Sequence, residues 1–157
     1  MVALALLQSV LLARVDLLGA RPDLMLLAVL TWAAIRSERE GLIWGFVGGL
    51  LIDLLSEAPL GGSSLALVLI AFIAAQPWGR SLGIPAARTL IMALIGTLLY
   101  HAILLVVLAW TGHTVHWSYA LTRVAAPSAL LNTLLAPLVQ LPLAWLSRRL
   151  RREGLTL

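Results

Sequence analysis

Cysteine and lysine are both absent from this sequence of 157 residues, and charged residues make up only 11% of it. The absence of cysteine excludes disulfides, thiolate metal sites and cysteine nucleophiles. Soluble domains are usually about half apolar and about a quarter charged, whereas this chain is 61% hydrophobic. The apolar residues occur in blocks from end to end, with no polar stretch long enough for a separate soluble domain. The composition therefore predicts a single membrane domain over residues 1–157.

Six apolar blocks, each bounded by charges, glycine or proline, predict an all-α transmembrane bundle of about six helices. The predicted helices cover approximately residues 2–20, 22–35, 41–58, 64–78, 86–111 and 124–147. A straight membrane span needs about 20 apolar residues, and the first four blocks are shorter than that. We therefore expect these helices to recruit flanking residues or to thin the bilayer locally.

The positions of the eleven arginines predict the orientation of the bundle. If all six blocks cross, one side carries only Arg14, Arg21 and Arg123. The other side carries Arg36, Arg39, Arg80, Arg88, Arg148, Arg149, Arg151 and Arg152. Basic residues accumulate on the cytoplasmic side of membrane proteins, so the C-terminus is predicted to be cytoplasmic.

The arginines lie at the ends of apolar blocks and form no continuous basic patch, which argues against nucleic-acid binding. The last four, Arg148, Arg149, Arg151 and Arg152, are expected to anchor the chain to anionic lipid headgroups. The turn from Arg36 to Glu40 is expected to be solvated. It is also a candidate contact for a cytosolic partner.

The third block carries a regular face of small residues. Gly41, Gly45, Gly49 and Asp53 recur at four-residue spacing, which places them on one side of a helix. Such faces let another backbone approach closely within a membrane. The spacing predicts close packing, and it leaves open whether the neighbour is another helix of this chain or a partner.

Asp53 lies about 18 Å along the predicted helix from Gly41, within a hydrocarbon core about 30 Å thick. A carboxylate at that depth must be paired, hydrated or protonated. One hypothesis is that Asp53 ties helix ends together, through Arg21 or through backbone N–H groups between Gly61 and Ser64. The alternative is a proton or cation relay, for which the other blocks offer only His101 near mid-membrane.

The remaining polar residues show no catalytic constellation. His113 and His116 have metal-compatible spacing, but no carboxylate lies near them, so a polar interface turn is the simpler interpretation. The serines lack a histidine and a carboxylate in any recognisable order. The sequence therefore predicts no enzyme, no cofactor and no metal. The sixth block contains Pro127, Pro137 and Pro142, which indicates a kinked helix.

One ordered set of residues runs through the middle of the chain. It comprises Arg21, Pro22 and Asp23, then Gly45, Phe46 and Gly49, then Asp53, and finally Leu60, Gly61 and Leu65. This set resembles the rod shape-determining protein family MreD. The resemblance implies an outer loop at Arg21, Pro22 and Asp23, and an outer turn at Leu60 and Gly61. It also implies close packing at Gly45, Phe46 and Gly49, an intramembrane acid at Asp53, and structural and assembly roles for all of them.

The resemblance further implies a non-enzymatic subunit of the cell-elongation machinery, or elongasome, in the bacterial inner membrane. Such a subunit would bind MreC directly. Through the complex it would act with the filament protein MreB, the peptidoglycan polymerase RodA and a class B penicillin-binding protein. The implied fold is similar to that of the membrane substrate-binding subunits of energy-coupling-factor transporters. A vitamin-binding subunit of such a transporter is therefore the alternative function.

Overall fold

The computed structural model describes residues 22–56, 60–77 and 85–152, and the first predicted helix, residues 2–20, lies outside them. The described residues form helices and no strand. The helices are α1 (Leu24–Ile35), α2 (Glu38–Leu55), α3 (Gly62–Ala75), α4 (Pro85–Trp110), α5 (Trp117–Tyr119) and α6 (Ala126–Arg152), with a π-helical segment, Ala120–Ala125, before α6. The predicted all-α class is confirmed, and the count of six helices stays a prediction.

The N-terminal ends of α2 and α3 follow from local chemistry. Ser37 caps α2, since its Oγ accepts a hydrogen bond from the Glu40 backbone N–H at 3.3 Å. Capping by serine satisfies one of the free N–H groups of the first helical turn, so α2 begins at Glu38, before the predicted position 41. Helix α3 begins after Gly61, whose φ of 96° is a left-handed conformation that favours glycine.

Helix α1 is the centre of the bundle. Its residues from Met25 to Ala33 are all buried, and it contacts α2, α3, α4 and α6. A helix that is apolar on every side is typically enclosed by other helices. Its uniform sequence, Leu24–Ile35, therefore matches its central position.

Neighbouring helices run antiparallel. Helix α2 packs along α3, α3 packs along α4, and α4 packs along α6. This path brings five of the described arginines, Arg36, Arg39, Arg88, Arg148 and Arg149, to one end of the bundle, which we call the arginine end. Asp23, Asp53 and Arg123 lie toward the opposite end.

Two stretches within the described residues are long and apolar enough to cross a membrane. Residues 87–110 form a 24-residue stretch and residues 117–150 form a 34-residue stretch. Each contains an apolar segment of 18 residues, of which 28% is buried in the first stretch and 17% in the second. Apolar helices of soluble cores are mostly buried. In both of these stretches less than a third of the apolar segment is buried, as expected of helices that contact lipid. The apolar helices α1 and α3 are shorter.

The π-helical segment Ala120–Ala125 lies directly before the start of α6, where Pro127 is the second residue. The Ala126 backbone N–H donates to the carbonyl of Leu121, five residues earlier. Pro127 follows, and a proline ring clashes with the carbonyl four residues earlier while offering no N–H. A π-helical segment widens the helix and accommodates that missing bond. The helical path therefore continues from Trp117 to Arg152 and begins earlier than the predicted position 124.

Candidate functional site

The glycine face of α2 is filled by neighbouring helices of the same chain. A Cβ at Gly45 would lie 2.9 Å from the carbonyl oxygen of Leu67, and one at Gly49 would overlap the backbone of Ser64, both on α3. A Cβ at Gly41 would lie 2.6 Å from the Cβ of Ala33 on α1. Of the two neighbours that the spacing left open, the structure shows a helix of this chain.

Asp53 joins the end of α2 to the start of α3. Its Oδ2 accepts hydrogen bonds from the Gly61 N–H at 2.9 Å, the Ser64 N–H at 3.2 Å and the Ser64 hydroxyl at 3.0 Å. Its Oδ1 accepts from the Ser63 N–H at 2.9 Å. Asp53 is 1% exposed, and the first N–H groups of a helix have no partner within the helix. One carboxylate therefore satisfies several of the free donors of α3.

This geometry corresponds to the second of the two structural hypotheses for Asp53, the backbone N–H groups near Gly61. Arg21, the first hypothesis, lies outside the described residues. The relay alternative invoked His101. Its ring Nδ1 donates to the Thr97 carbonyl oxygen at 2.9 Å, and its ring packs edge-on against Tyr100. These contacts of His101 stay on its own helix.

A second polar contact lies between α1, α4 and α6. Asn132 of α6 is fully buried. Its Oδ1 accepts from the Asp23 backbone N–H at 2.8 Å, and its Nδ2 donates to the Thr97 hydroxyl at 3.2 Å. Eight residues along α6, Gln140 accepts from the Thr89 hydroxyl at 2.7 Å. The Asn132–Thr97 and Gln140–Thr89 hydrogen bonds therefore join α6 to α4 at two positions along these antiparallel helices.

The sequence prediction assigned no role to Asn132 or Gln140. A signal was present, because Thr89 and Thr97 are separated by eight residues and so are Asn132 and Gln140. Eight residues are close to two helical turns, so each pair lies along one face. Without knowing that α4 and α6 are neighbours, however, the two spacings could not be matched.

The solvated turn predicted between Arg36 and Glu40 requires a correction. Glu40 is buried, and its Oε2 accepts from the Trp32 indole N–H and the Arg36 Nε–H, both at 3.0 Å. The Arg36 guanidinium also lies 5.6 Å from the centre of the Trp32 ring. Burial of Trp32 requires a partner for its N–H, and Glu40 provides it. Only the middle of the turn, residues 37–39, is exposed.

The other predicted site residues are exposed or half-buried where their burial is described. Phe46 is 55% exposed and Leu60 is 73% exposed. The close packing that the resemblance implies for Phe46 therefore stays a prediction. Pro22 is half-buried beside Asp23. At the arginine end Arg148 and Arg149 are exposed, and Arg149 lies 5.5 Å from the centre of the Trp145 ring. Arg151 and Arg152 are in the last turn of α6.

The histidine pair lies in the segment between α4 and α5, and both side chains are exposed. The His113 ring hydrogen-bonds the Thr111 hydroxyl at 3.0 Å. Among the described residues no three His, Cys, Asp or Glu side chains are grouped so as to hold a metal.

An apolar cleft lies between α1, α3 and α4. Leu30, Ile70, Ile73, Ala74, Met92, Ile95, Gly96 and Leu99 line it. Small-molecule sites combine apolar walls with a few converging polar groups. Among these described residues, none has a side-chain group that would orient a polar ligand such as a vitamin.

Together, the exposed apolar spans and the buried polar contacts between helices define an all-helical membrane protein. The family model for the rod shape-determining protein MreD matches residues 1–150, nearly the whole chain. The chain therefore belongs to the MreD family, and the predicted resemblance is confirmed. The match extends well beyond the residues on which the resemblance was based.

The family sets the broad role. MreD proteins are inner-membrane, shape-determining structural components and are not a known enzyme family. This chain is accordingly a rod-shape membrane protein, and its two candidate spans fit that location. No curated protein and no solved structure matches it.

Proposed function

We propose that this chain binds MreC in the inner membrane and helps to couple MreB filaments to peptidoglycan synthesis by RodA and a class B penicillin-binding protein. Membership of the MreD family is the observation that carries the proposal. The structure supplies a physical reason. The glycine face of α2 and the buried side chains Asp53 and Asn132 are occupied by contacts within the chain, so the outer apolar faces remain for binding partners.

The proposed contact includes Phe46 and Leu60. Both side chains are more than half exposed, and both belong to the residue set that carries the family resemblance. Buried aromatic anchors contribute strongly to protein interfaces. Phe46 is therefore the better single residue with which to test assembly.

The direct test is co-purification of MreC with this chain from native membranes in detergent. We expect the Phe46→Ala variant to retain less MreC than the unmodified chain. Leu134→Ala is the matched control, because Leu134 is a 73% exposed apolar residue on α6 outside the family residue set. Equal MreC recovery with both variants would exclude Phe46 from the contact, and no MreC with the unmodified chain would contradict the proposed binding.

We also propose six membrane-spanning helices, a cytoplasmic C-terminus and the architecture of energy-coupling-factor substrate-binding subunits. The collection of arginines at one end of the bundle supports the orientation. A reporter that is active only in the cytoplasm, fused after the last residue, should be active. Activity only of a periplasmic reporter would contradict the proposed orientation.

A further inference from the structure

The exposed apolar surface of α2 is shorter along the helix axis than that of α4. On α2 the exposed large apolar side chains run from Ile43 to Leu55, about 18 Å at 1.5 Å per residue. On α4 they run from Leu90 to Trp110, about 30 Å on the same basis. The surface of α4 matches a hydrocarbon core of about 30 Å, whereas the surface of α2 is about two-fifths shorter.

Polar residues limit the α2 surface at both ends. Glu38 and Arg39 are exposed in the first turn, and Ser56 is exposed directly after the last residue of the helix. Moving such groups into hydrocarbon is unfavourable, although the aliphatic stem of Arg39 can extend along the surface for a few ångströms. Tilting α2 would further reduce the distance that its apolar surface covers across the bilayer.

The neighbouring helix does not extend this surface. Helix α3 has 14 residues, about 21 Å in length, and α4 has 26 residues, about 39 Å. Helix α3 contacts both α2 and α4, so the short helices are adjacent and form one flank. We call this flank the α2–α3 face; its exposed apolar side chains include Ile43, Phe46, Leu50, Leu54, Leu65 and Phe72.

We propose that the α2–α3 face holds a locally thinned bilayer, so that lipid acyl chains cover it in the free protein while the membrane beside α4 keeps its ordinary thickness. A bilayer beside an apolar surface that is too short thins to cover it. The chain therefore imposes a thickness gradient across its own width. This inference rests on the membrane location and does not depend on MreC.

The absence of cysteine makes the proposal measurable by spin labelling without a background signal. Single cysteines replace Ile43 and Leu54 on α2, and Ile95 and Val106 on α4. Both pairs are separated by eleven residues, about 16 Å along a helix, and all four side chains are roughly half exposed or more. The purified variants are reconstituted in dioleoyl phosphatidylcholine vesicles, and collisions with oxygen and with a water-soluble nickel chelate are measured.

We expect both α2 labels to collide with the nickel chelate several times more often than both α4 labels, which should be reached mainly by oxygen. Equal depths for the two pairs would overturn the proposal. Immobilised α2 labels shielded from both reagents would also overturn it, because a second copy of the chain would then cover the face.

A second measurement uses the unmodified protein, so its result does not depend on whether the cysteine variants fold. Its thermal unfolding is compared in dimyristoleoyl, dioleoyl and dierucoyl phosphatidylcholine bilayers of increasing thickness. The proposal predicts the highest unfolding temperature in the thinnest of the three, because α4 can tilt to fit a thinner bilayer whereas α2 cannot lengthen to fit a thicker one. The highest value in either of the two thicker bilayers would contradict it.

Discussion

Replacing Asp53 tests the contact between α2 and α3 most severely. In the Asp53→Ala variant, the backbone N–H groups of Ser63 and Ser64 lose their acceptor in a buried position. Each buried donor without a partner costs about 1–3 kcal/mol. The Gly61 N–H can be hydrated, because Gly61 is exposed. The variant should therefore lower the free energy of unfolding by about 2–6 kcal/mol.

Asp53→Asn should have a smaller effect. Its carbonyl oxygen can take the position of Oδ2 and keep the bonds from Gly61 and Ser64, while its NH₂ group faces the Ser63 N–H and repels it. The negative charge near the start of α3 is also lost, which is worth about 0.3–1 kcal/mol at a helix N-terminus. We expect a loss of about 1–4 kcal/mol in total.

The assay is unfolding by sodium dodecyl sulfate in mixed micelles, followed by circular dichroism. Ser56→Ala is the control, because Ser56 is exposed and exposed substitutions usually change stability by less than about 0.5 kcal/mol. An Asp53→Asn variant as stable as the unmodified chain would show that the Asp53 carboxylate does not stabilise the start of α3. If that variant also lost a proton-driven transport activity, Asp53 would be a relay residue.

Three further predictions use the same assay. Gly49→Ala should lower the free energy of unfolding by about 1–3 kcal/mol through overlap with the α3 backbone, whereas Gly48→Ala should have a smaller effect, because the atoms nearest its Cβ belong to the side chains of Met25 and Val29 and not to the backbone; equal effects would contradict the backbone contact. A double-mutant cycle of Asn132→Ala and Thr97→Val should give a coupling of about 0.6 kcal/mol or more, and zero coupling would contradict their hydrogen bond. Glu40→Gln should cost about 1–3 kcal/mol by leaving the Arg36 charge without its carboxylate; an unchanged value would contradict the buried ion pair.

Periodicity was sufficient to predict the close-packed face of α2. Glycines at four-residue spacing lie on one side of any helix, so the face did not depend on knowing the neighbours. The side chains that fill it could not be predicted. Ser64 and Ala33 lie 15 and 8 residues away from the glycines they meet, and only the antiparallel packing of three helices brings them together.

The buried position of Glu40 shows where local pattern fails. Charged side chains between two apolar blocks are usually solvated. Glu38 and Arg39 follow that rule, and the neighbouring Ser37 is exposed as well. Glu40 departs from it because the turn places its side chain beside the indole of Trp32. Whether a charge in a short turn points outward depends on the geometry of that turn, and the composition does not contain it.

A membrane-embedded structural subunit that maintains rod shape should be required for the shape of the cell that makes it. The most direct measurement is the ratio of cell length to width in its native host when the chain is depleted and then expressed again. Depleted cells should become round, and expression of the unmodified chain should restore rods. Depleted cells that keep the dimensions of rods would contradict it.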